Sequence, residues 1–569
     1  KKNKKMTSKI NNLIKYFNKN NIDGYIIPKN DEYFSEQVYY DRLRDISGFS
    51  GSAGLAIILK KKNYLFVDGR YTIQAKKECG KYFKIIEIHK FLPRKILFNV
   101  KLGFDPKLFT STNLKYYFGN NIKLKPINKN LIDAILKNKI PKKKPFYSIN
   151  HKIVGLSHKS KLTLISNTLK KRKIDYLYVS APENVAWLLN IRGYDVPYSP
   201  IPNSRLIVSK NKKIFLISEK HKVKKLLKEK KLFKKQIIDP NKSSELIKSL
   251  KGKSFIVDGR TLSLFSEKII LSKFNIKERI DPCYFFKSLK NDNEIKNMRD
   301  SHIYDGAALT KFIFWMKNLG NKKISEIQAQ NKLEKFRKKN KNYLFPSFNT
   351  IAGTGSNGAI VHYRANAKTN KIIKKEHLFL CDSGGQYKYG TTDVTRTICF
   401  SKQPNYIKNI FTKVLKGHIA VATSNLNKIK TGNKLDLEAR KFLKKSGLDY
   451  SHGTGHGVGF FLNVHEGPQA ISKYNNIKLK KGMILSNEPG YYKEGKFGIR
   501  IENLVFVNQN KNNLFFENLT LAPIEKDLIN FKLLNKFEKD YLFKYHLIVY
   551  SKLSKFLNKN EKKWLLSFL

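Results

Sequence analysis

Asp382, Asp393, His456, Glu488 and Glu502 have the side chains and settings that a divalent cation uses. Asp382 follows the apolar run Leu378–Cys381, which reads as a buried strand. A carboxylate delivered by such a strand costs free energy unless it is paired or metal-bound. Asp393 lies in Gly390–Phe400 (GTTDVTRTICF), rich in β-branched residues, and the turn-forming Gly384–Gly390 joins it to the first strand. This pattern predicts a hairpin that sets Asp382 beside Asp393. Adjacent carboxylates repel, and a divalent cation between them is the usual remedy.

His456 belongs to His452–Gly459 (HGTGHGVG), whose four glycines exclude a stable helix. The two histidines are therefore not a helical HExxH pair, and His465-Glu466 runs into Gly467-Pro468-Gln469 without completing one. Glu488 opens Glu488-Pro489-Gly490, and Glu502 follows Gly498–Ile501. The turn-rich Tyr491–Phe497 between them predicts a second hairpin, with Arg500 and Glu502 on one face. One histidine and four carboxylates suit Mn²⁺, Mg²⁺, Co²⁺ or Fe²⁺, with Zn²⁺ also compatible. Four carboxylates exceed what one catalytic ion needs, so the set points to two ions sharing a water or hydroxide.

These segments need a framework, and the chain is long enough for three or four domains at 569 residues. Residues 7–140 alternate helix and strand: a helix over Lys9–Phe17, a strand over Gly24–Pro28, a hairpin of Leu55–Leu59 with Tyr64–Val67, then a turn at Asp68–Arg70. Pro141–Pro145 reads as a linker. The next stretch repeats this outline: Ile174–Val179 echoes Ile22–Ile27, Arg205–Val208 with Lys213–Ile217 echoes the hairpin, and Phe255–Arg260 echoes Phe66–Arg70. Two related α/β domains are expected. Ile295, Met298, Ile303, Ala307 and Phe312 then recur at helical spacing and open a third domain. The aromatic, leucine-rich end reads as a helical appendix, with Trp564, Leu565 and Phe568 as packing residues. The expected boundaries are 1–143, 144–290, 291–520 and 521–569, and the class is α/β (α+β).

Composition narrows the partners. Lys+Arg is 112 against 44 Asp+Glu, a net charge of +68. Lysine dominates, mixed with Asn and Ile along the whole chain, as a genome biased towards A and T would produce. No face or tail collects the charge, so no specific nucleic acid partner is expected, only salt-sensitive sticking. No run of about 18 apolar residues could span a membrane. Lys1–Asn20 lacks the apolar core of a secretory signal. Cys79, Cys283, Cys381 and Cys399 form no framework, which fits a reducing, cytoplasmic location. Five lysine and asparagine residues precede Met6, which reads as a natural start.

Asp382–Arg396 (DSGGQYKYGTTDVTR), His452–Gly467 (HGTGHGVGFFLNVHEG), Glu488–Tyr492 (EPGYY) and Gly498–Asn503 (GIRIEN) closely resemble the Xaa-Pro aminopeptidases of the pita-bread metallopeptidase superfamily. Gly48–Gly54, Asp68–Arg70, Asn184–Arg192, Leu415–Val421 and Tyr545–Leu547 resemble landmarks of its long, three-domain form. The resemblance implies two creatinase-like domains, a pita-bread catalytic domain and a small carboxyl-terminal extension. It implies two Mn²⁺, with Asp393 and Glu502 bridging both, Asp382 completing one, and His456 and Glu488 the other. It implies active-site roles for His362, His452 and His465, a bracing role for Arg500 and a substrate contact for Tyr492.

The implied reaction releases the first residue from peptides with proline second, by attack of a metal-bridging hydroxide on the scissile carbonyl. His465 would stabilise the oxyanion, and Glu488 would carry the proton to the prolyl nitrogen. Glu488, His465 and His362 are thus the expected catalytic residues. The scissile nitrogen carries no N–H, so a pocket shaped for the pyrrolidine ring is needed. His452, His362 and Arg500 would build or brace it. A homodimer is also implied.

A prolidase restricted to dipeptides is the nearest rival, disfavoured by the duplicated front half and the appendix. A non-catalytic pita-bread module binding polyanions is another, disfavoured by the intact ligand set. Gly353–Gly358 is a literal GxGxxG, but it opens no helix of a βαβ unit, so no dinucleotide is expected. Cys381 reads as a buried strand cysteine, not a nucleophile. His418 and His546 read as structural.

Overall fold

A computed structural model describes residues 2–136 and 144–569, without the side chains of residues 2–5, 70 and 73. Pro141–Lys143 of the expected linker lie outside the described residues. The chain forms two compact units. One comprises Lys1–Ser148, His158–Pro197 and Ile201–Cys283; the other Ile149–Ser157, Tyr198–Pro200 and Tyr284–Leu569.

The first unit contains two six-stranded sheets of one design. Numbering the strands of each sheet along the chain, both have the spatial order four-three-two-one-five-six. In the first sheet Gly24–Pro28 is the central strand, antiparallel to Leu55–Leu59 and parallel to Lys101–Phe104. In the second, Tyr176–Val179 takes the same place, antiparallel to Arg205–Ser209 and parallel to Ser254–Val257. The expected hairpin is present, with Leu55 opposite Phe66 and Ile57 opposite Tyr64. The central strands are apolar and buried on both faces, as parallel pairing covered by helices requires. The duplication read from short echoes is therefore a duplication of topology.

The second unit opens with the long helix Asp292–Lys317. Asn291 caps it and Glu294 returns a bond to the Asn291 N–H, a reciprocal capping box. Ile295, Met298, Ala307 and Phe312 are buried as the spacing predicts, and Ile303 is half-buried. The unit begins before the expected boundary and takes in Ile149–Ser157. Asn291 donates to Val154 O and Asn293 to Lys152 O, polar ties that hydrophobic periodicity does not reveal. The carboxyl-terminal helices Lys536–Leu553 and Lys559–Leu566 share this unit's core, with Leu565 buried and Trp564 and Phe568 packed against it.

Two antiparallel arrangements carry the acids, and a third carries Arg500. Phe379–Ser383 lies between Ile351–Thr354 and Val394–Ile398, with Asp382 opposite Thr395. Ile484–Asn487 pairs with Asn503–Asn510, and Gly455–Gly457 lies on its other side. Gly490–Lys493 and Phe497–Arg500 form a hairpin where the second was expected, but Tyr491–Lys493 and Phe497 are strand and not turn. Glu502 lies past its end, bridged to Thr395, because the pairing closes at Gly490 opposite Arg500. Glycine is a steric requirement at two crossings. A Cβ on Gly384 would lie 1.9 Å from Thr392 O, and one on Gly455 1.9 Å from Ser486 O. The GxGxxG segment leads from Ile351–Thr354 into the 3-10 turn Gly355–Ala359, not into an α-helix.

Candidate metal centre

All five expected ligands converge. Asp382 lies near the end of its strand, and Asp393 immediately precedes the partner strand. Glu488 follows Ile484–Asn487, while Glu502 immediately precedes Asn503–Asn510 and bridges to Thr395. His456 is central in Gly455–Gly457. Its Nε2 lies 3.3 Å from Asp393 Oδ2 and 3.5 Å from Glu488 Oε1. One ligand atom each of Asp393, His456 and Glu502 fall within 4.8 Å of one another.

The electrostatics fit cations. Asp382, Asp393 and Glu502 are buried. Burial, outweighing the Arg500 cation, pushes the Asp382 carboxyl up to about 7, with Asp393 and Glu488 adding repulsion. Burial and neighbouring carboxylates raise Glu488 and Glu502 as well. Asp382 Oδ1 is buried without a hydrogen-bond partner. His456 Nδ1 donates to Gly457 O at 2.9 Å, so its lone pair is on Nε2, facing the acids. An orphaned carboxylate oxygen, mutually repelling acids and a preset imidazole tautomer suit two divalent ions.

The other expected residues surround this cluster. Arg500 is buried and donates to Asp382 Oδ2 at 2.8 Å, Tyr492 Oη at 2.7 Å and Thr395 Oγ1 at 3.1 Å. Tyr492 Oη lies 2.7 Å from His452 Nε2, and His452 Nδ1 lies 2.8 Å from Gly453 O. The ring thus donates from Nδ1 and accepts from the tyrosine at Nε2. Burial, with Arg500 beside it, drives His452 down to about 3, so it is neutral. His362 is exposed and close enough to act electrostatically on His452. His465 is exposed, with its ring centroid 4.3 Å from that of His456.

Two hydroxyls escaped the sequence reading. Thr395 Oγ1 donates to Glu502 Oε2 at 2.7 Å, and Ser486 Oγ to Glu488 Oε1 at 2.9 Å. Each stands two residues from an expected ligand, Asp393 or Glu488, and the period-2 rule was the available signal. Cys381 is buried and its thiol is pushed up to about 12, which leaves it inert at neutral pH. His546 Nε2 accepts from Ile524 N, a packing role. A second acidic group, Cys399, Glu525 and Asp527, already encloses a cation: Lys317 Nζ lies 2.6 Å from Glu525 and 3.2 Å from Asp527.

Comparison with known proteins agrees with this geometry. Residues 296–509 match Metallopeptidase family M24, and residues 512–567 match the C-terminal region of peptidase M24. Residues 9–134 and 137–294 each match a Creatinase/Prolidase N-terminal domain. A probable Xaa-Pro aminopeptidase P of Laccaria bicolor is 37% identical over 98% of this chain and 92% of its own. One from Paracoccidioides brasiliensis is 37% identical over 96% of each. Among solved structures, the Caenorhabditis elegans X-prolyl aminopeptidase, described as a cytosolic enzyme with a di-nuclear active site, superposes with a TM-score of 0.90. It is 29% identical, and 99% of both chains is covered. The Pyrococcus furiosus prolidase reaches 0.50 at 25% identity, over 62% of this chain and 98% of its own.

Proposed function

We infer from one premise, that this chain belongs to metallopeptidase family M24 in its long Xaa-Pro aminopeptidase P form, that it is a metal-dependent aminopeptidase releasing the first residue of peptides with proline second. The observation that carries this is the convergence of Asp382, Asp393, His456, Glu488 and Glu502, with no ligand position lost. Asp393 and Glu502 would be shared between two ions, Asp382 would complete one, and His456 and Glu488 the other. When bound, the ions supply an acidified water as nucleophile and positive charge for the scissile carbonyl. Mn²⁺ is the proposed metal, and a cytosolic homodimer the proposed state.

The chain's own groups do the rest. Glu488 sits at the cluster's edge, 2.9 Å from Ser486 Oγ, and would carry the proton from attacking water to prolyl nitrogen. His465, exposed beside His456, would donate to the developing oxyanion. Arg500 and Tyr492 form a wire of hydrogen bonds from Asp382 to His452. The wire fixes the neutral ring of His452 as one wall of the proline pocket, and His362 would supply the facing wall. The long form is favoured over a dipeptidase because the aminopeptidase superposes over 99% of this chain and the prolidase over 62%.

The test is hydrolysis of Arg-Pro-Pro and Ala-Pro with Mn²⁺, with chelator, and by Glu488→Gln. Metal-dependent release of Arg from the tripeptide, lost in the variant, is the expected result. Cleavage of the dipeptide alone would move the assignment to a prolidase.

A further inference from the structure

His418 lies in the helix Asn405–Ala422, is fully buried, and is 70 residues from Glu488 in sequence. Its Nδ1 lies 3.1 Å from Asn487 O, and Asn487 Nδ2 donates back to His418 O at 2.9 Å. A carbonyl only accepts, so Nδ1 carries the proton. The imidazole and the amide thus close a reciprocal pair, both residues at 0% exposure. Asn487 is the residue immediately before Glu488. Across the sheet it is in register with Asn503, the residue immediately after Glu502. Asn503 Oδ1 is held in turn by Arg396 at 2.8 Å, and Arg396 also donates to Glu502 O at 2.7 Å.

Each of the two glutamates therefore emerges from an asparagine anchored by one buried side chain. The anchor on the Glu488 side stands on a rigid platform. Gly417 lets this helix approach Gly432–Lys444 so closely that a Cβ would sit 2.1 Å from Ala439 O. His418 is also fixed in charge: burial and the Arg396 cation drive it down to about 3, so it is neutral at every working pH.

We propose that His418 is a positioning residue for Glu488, holding the Asn487 carbonyl through Nδ1 so that the carboxylate meets the second metal ion and the leaving nitrogen. It does not touch the substrate. The proposal rests on the reading of Glu488 as a metal ligand. Loss of the donor would remove the helix-side bond to Asn487 O and leave the Asn487–Glu488 peptide held only from the sheet, by its pairing with Asn503 and by Glu488 N–H donating to Thr454 O at 2.8 Å.

The side chains available separate donor from bulk. Asparagine places an N–H at the Nδ1 position, glutamine at the Nε2 position, and leucine offers neither. Mn²⁺ binding by calorimetry and kcat and KM on Arg-Pro-Pro would be measured for the wild type, His418→Asn, His418→Gln, His418→Leu and Glu488→Gln. His418→Asn is expected within about threefold of wild type in both assays. His418→Leu is expected to weaken the second Mn²⁺ and lower kcat by about 10-fold to 100-fold, with KM little changed. His418→Gln should resemble leucine.

A folded His418→Leu that keeps its second-ion affinity within about twofold overturns the proposal alone, as does His418→Gln matching His418→Asn. Should leucine not fold, as a melting scan would show, the contrast of asparagine with glutamine decides. Wild type without Mn²⁺ binding, or Glu488→Gln with unchanged second-ion affinity, overturns the ligand reading and the proposal together.

Discussion

Removing metal should reverse the usual effect of pH on the carboxylate Asp382. In the metal-free fold its carboxyl is raised from 3.8 to about 7, by burial first and by Asp393 and Glu488 after it. A carboxyl raised on folding stabilises the fold fully below its unfolded pKa, and that contribution is lost as pH rises through the folded value. The window is therefore pH 4 to 7, and stability falls across it. The shift is about three pH units, and at 1.36 kcal/mol per unit it amounts to about 4 kcal/mol. Asp382→Asn keeps an acceptor for Arg500 but cannot ionise. Urea unfolding of chelator-treated protein, followed by fluorescence, would give the stability of both chains at each pH. The difference, wild type minus Asp382→Asn, should fall by about 4 kcal/mol from pH 4 to 8. Saturating Mn²⁺ should reverse that trend, because the ion binds the ionised carboxylate. A difference that is flat or rises with pH in the metal-free protein would refute the reasoning.

Arg500→Lys should lower kcat/KM by about 100-fold, since one ammonium cannot hold Asp382, Tyr492 and Thr395 together as the guanidinium fork does; steady-state kinetics with Arg-Pro-Pro would show it. Lys317→Met leaves the buried Glu525 carboxylate without its cation and should cost about 3 kcal/mol in denaturant unfolding, with little change in activity at 25 °C. Cys79, Cys283, Cys381 and Cys399 are all buried. A thiol reagent should therefore label none within minutes in the native protein and all of them in denaturant.

The ligand set was legible because its logic is local. An apolar strand ending in Asp382 and a glycine-rich HGTGHGVG segment announce themselves within a few residues. Contacts that depend on where a hairpin lands were not. Tyr492 reaches His452 across 40 positions, and only the register of Gly490–Lys493 against Phe497–Arg500 puts Arg500 between Tyr492 and Asp382. His418 was read as structural for a related reason. A histidine in an apolar helix looks the same whether it only fills space or also holds a carbonyl 69 residues away, at Asn487. The tie of Ile149–Ser157 to the second unit was not legible, because Asn291 and Asn293 bind main-chain carbonyls, which leave no hydrophobic period. The sheet duplication, in contrast, follows from strand order and pairing, which the short echoes reflect.

The central claim is that this cluster works as a two-ion hydrolytic centre. The direct test is to strip the protein with chelator, titrate Mn²⁺ back, and follow release of Arg from Arg-Pro-Pro against bound metal. The stripped protein should show no activity, and recovery should level off at about two ions per chain, with Glu488→Gln inactive throughout. Full activity in chelator, or metal bound at that stoichiometry with no Arg released, would contradict it.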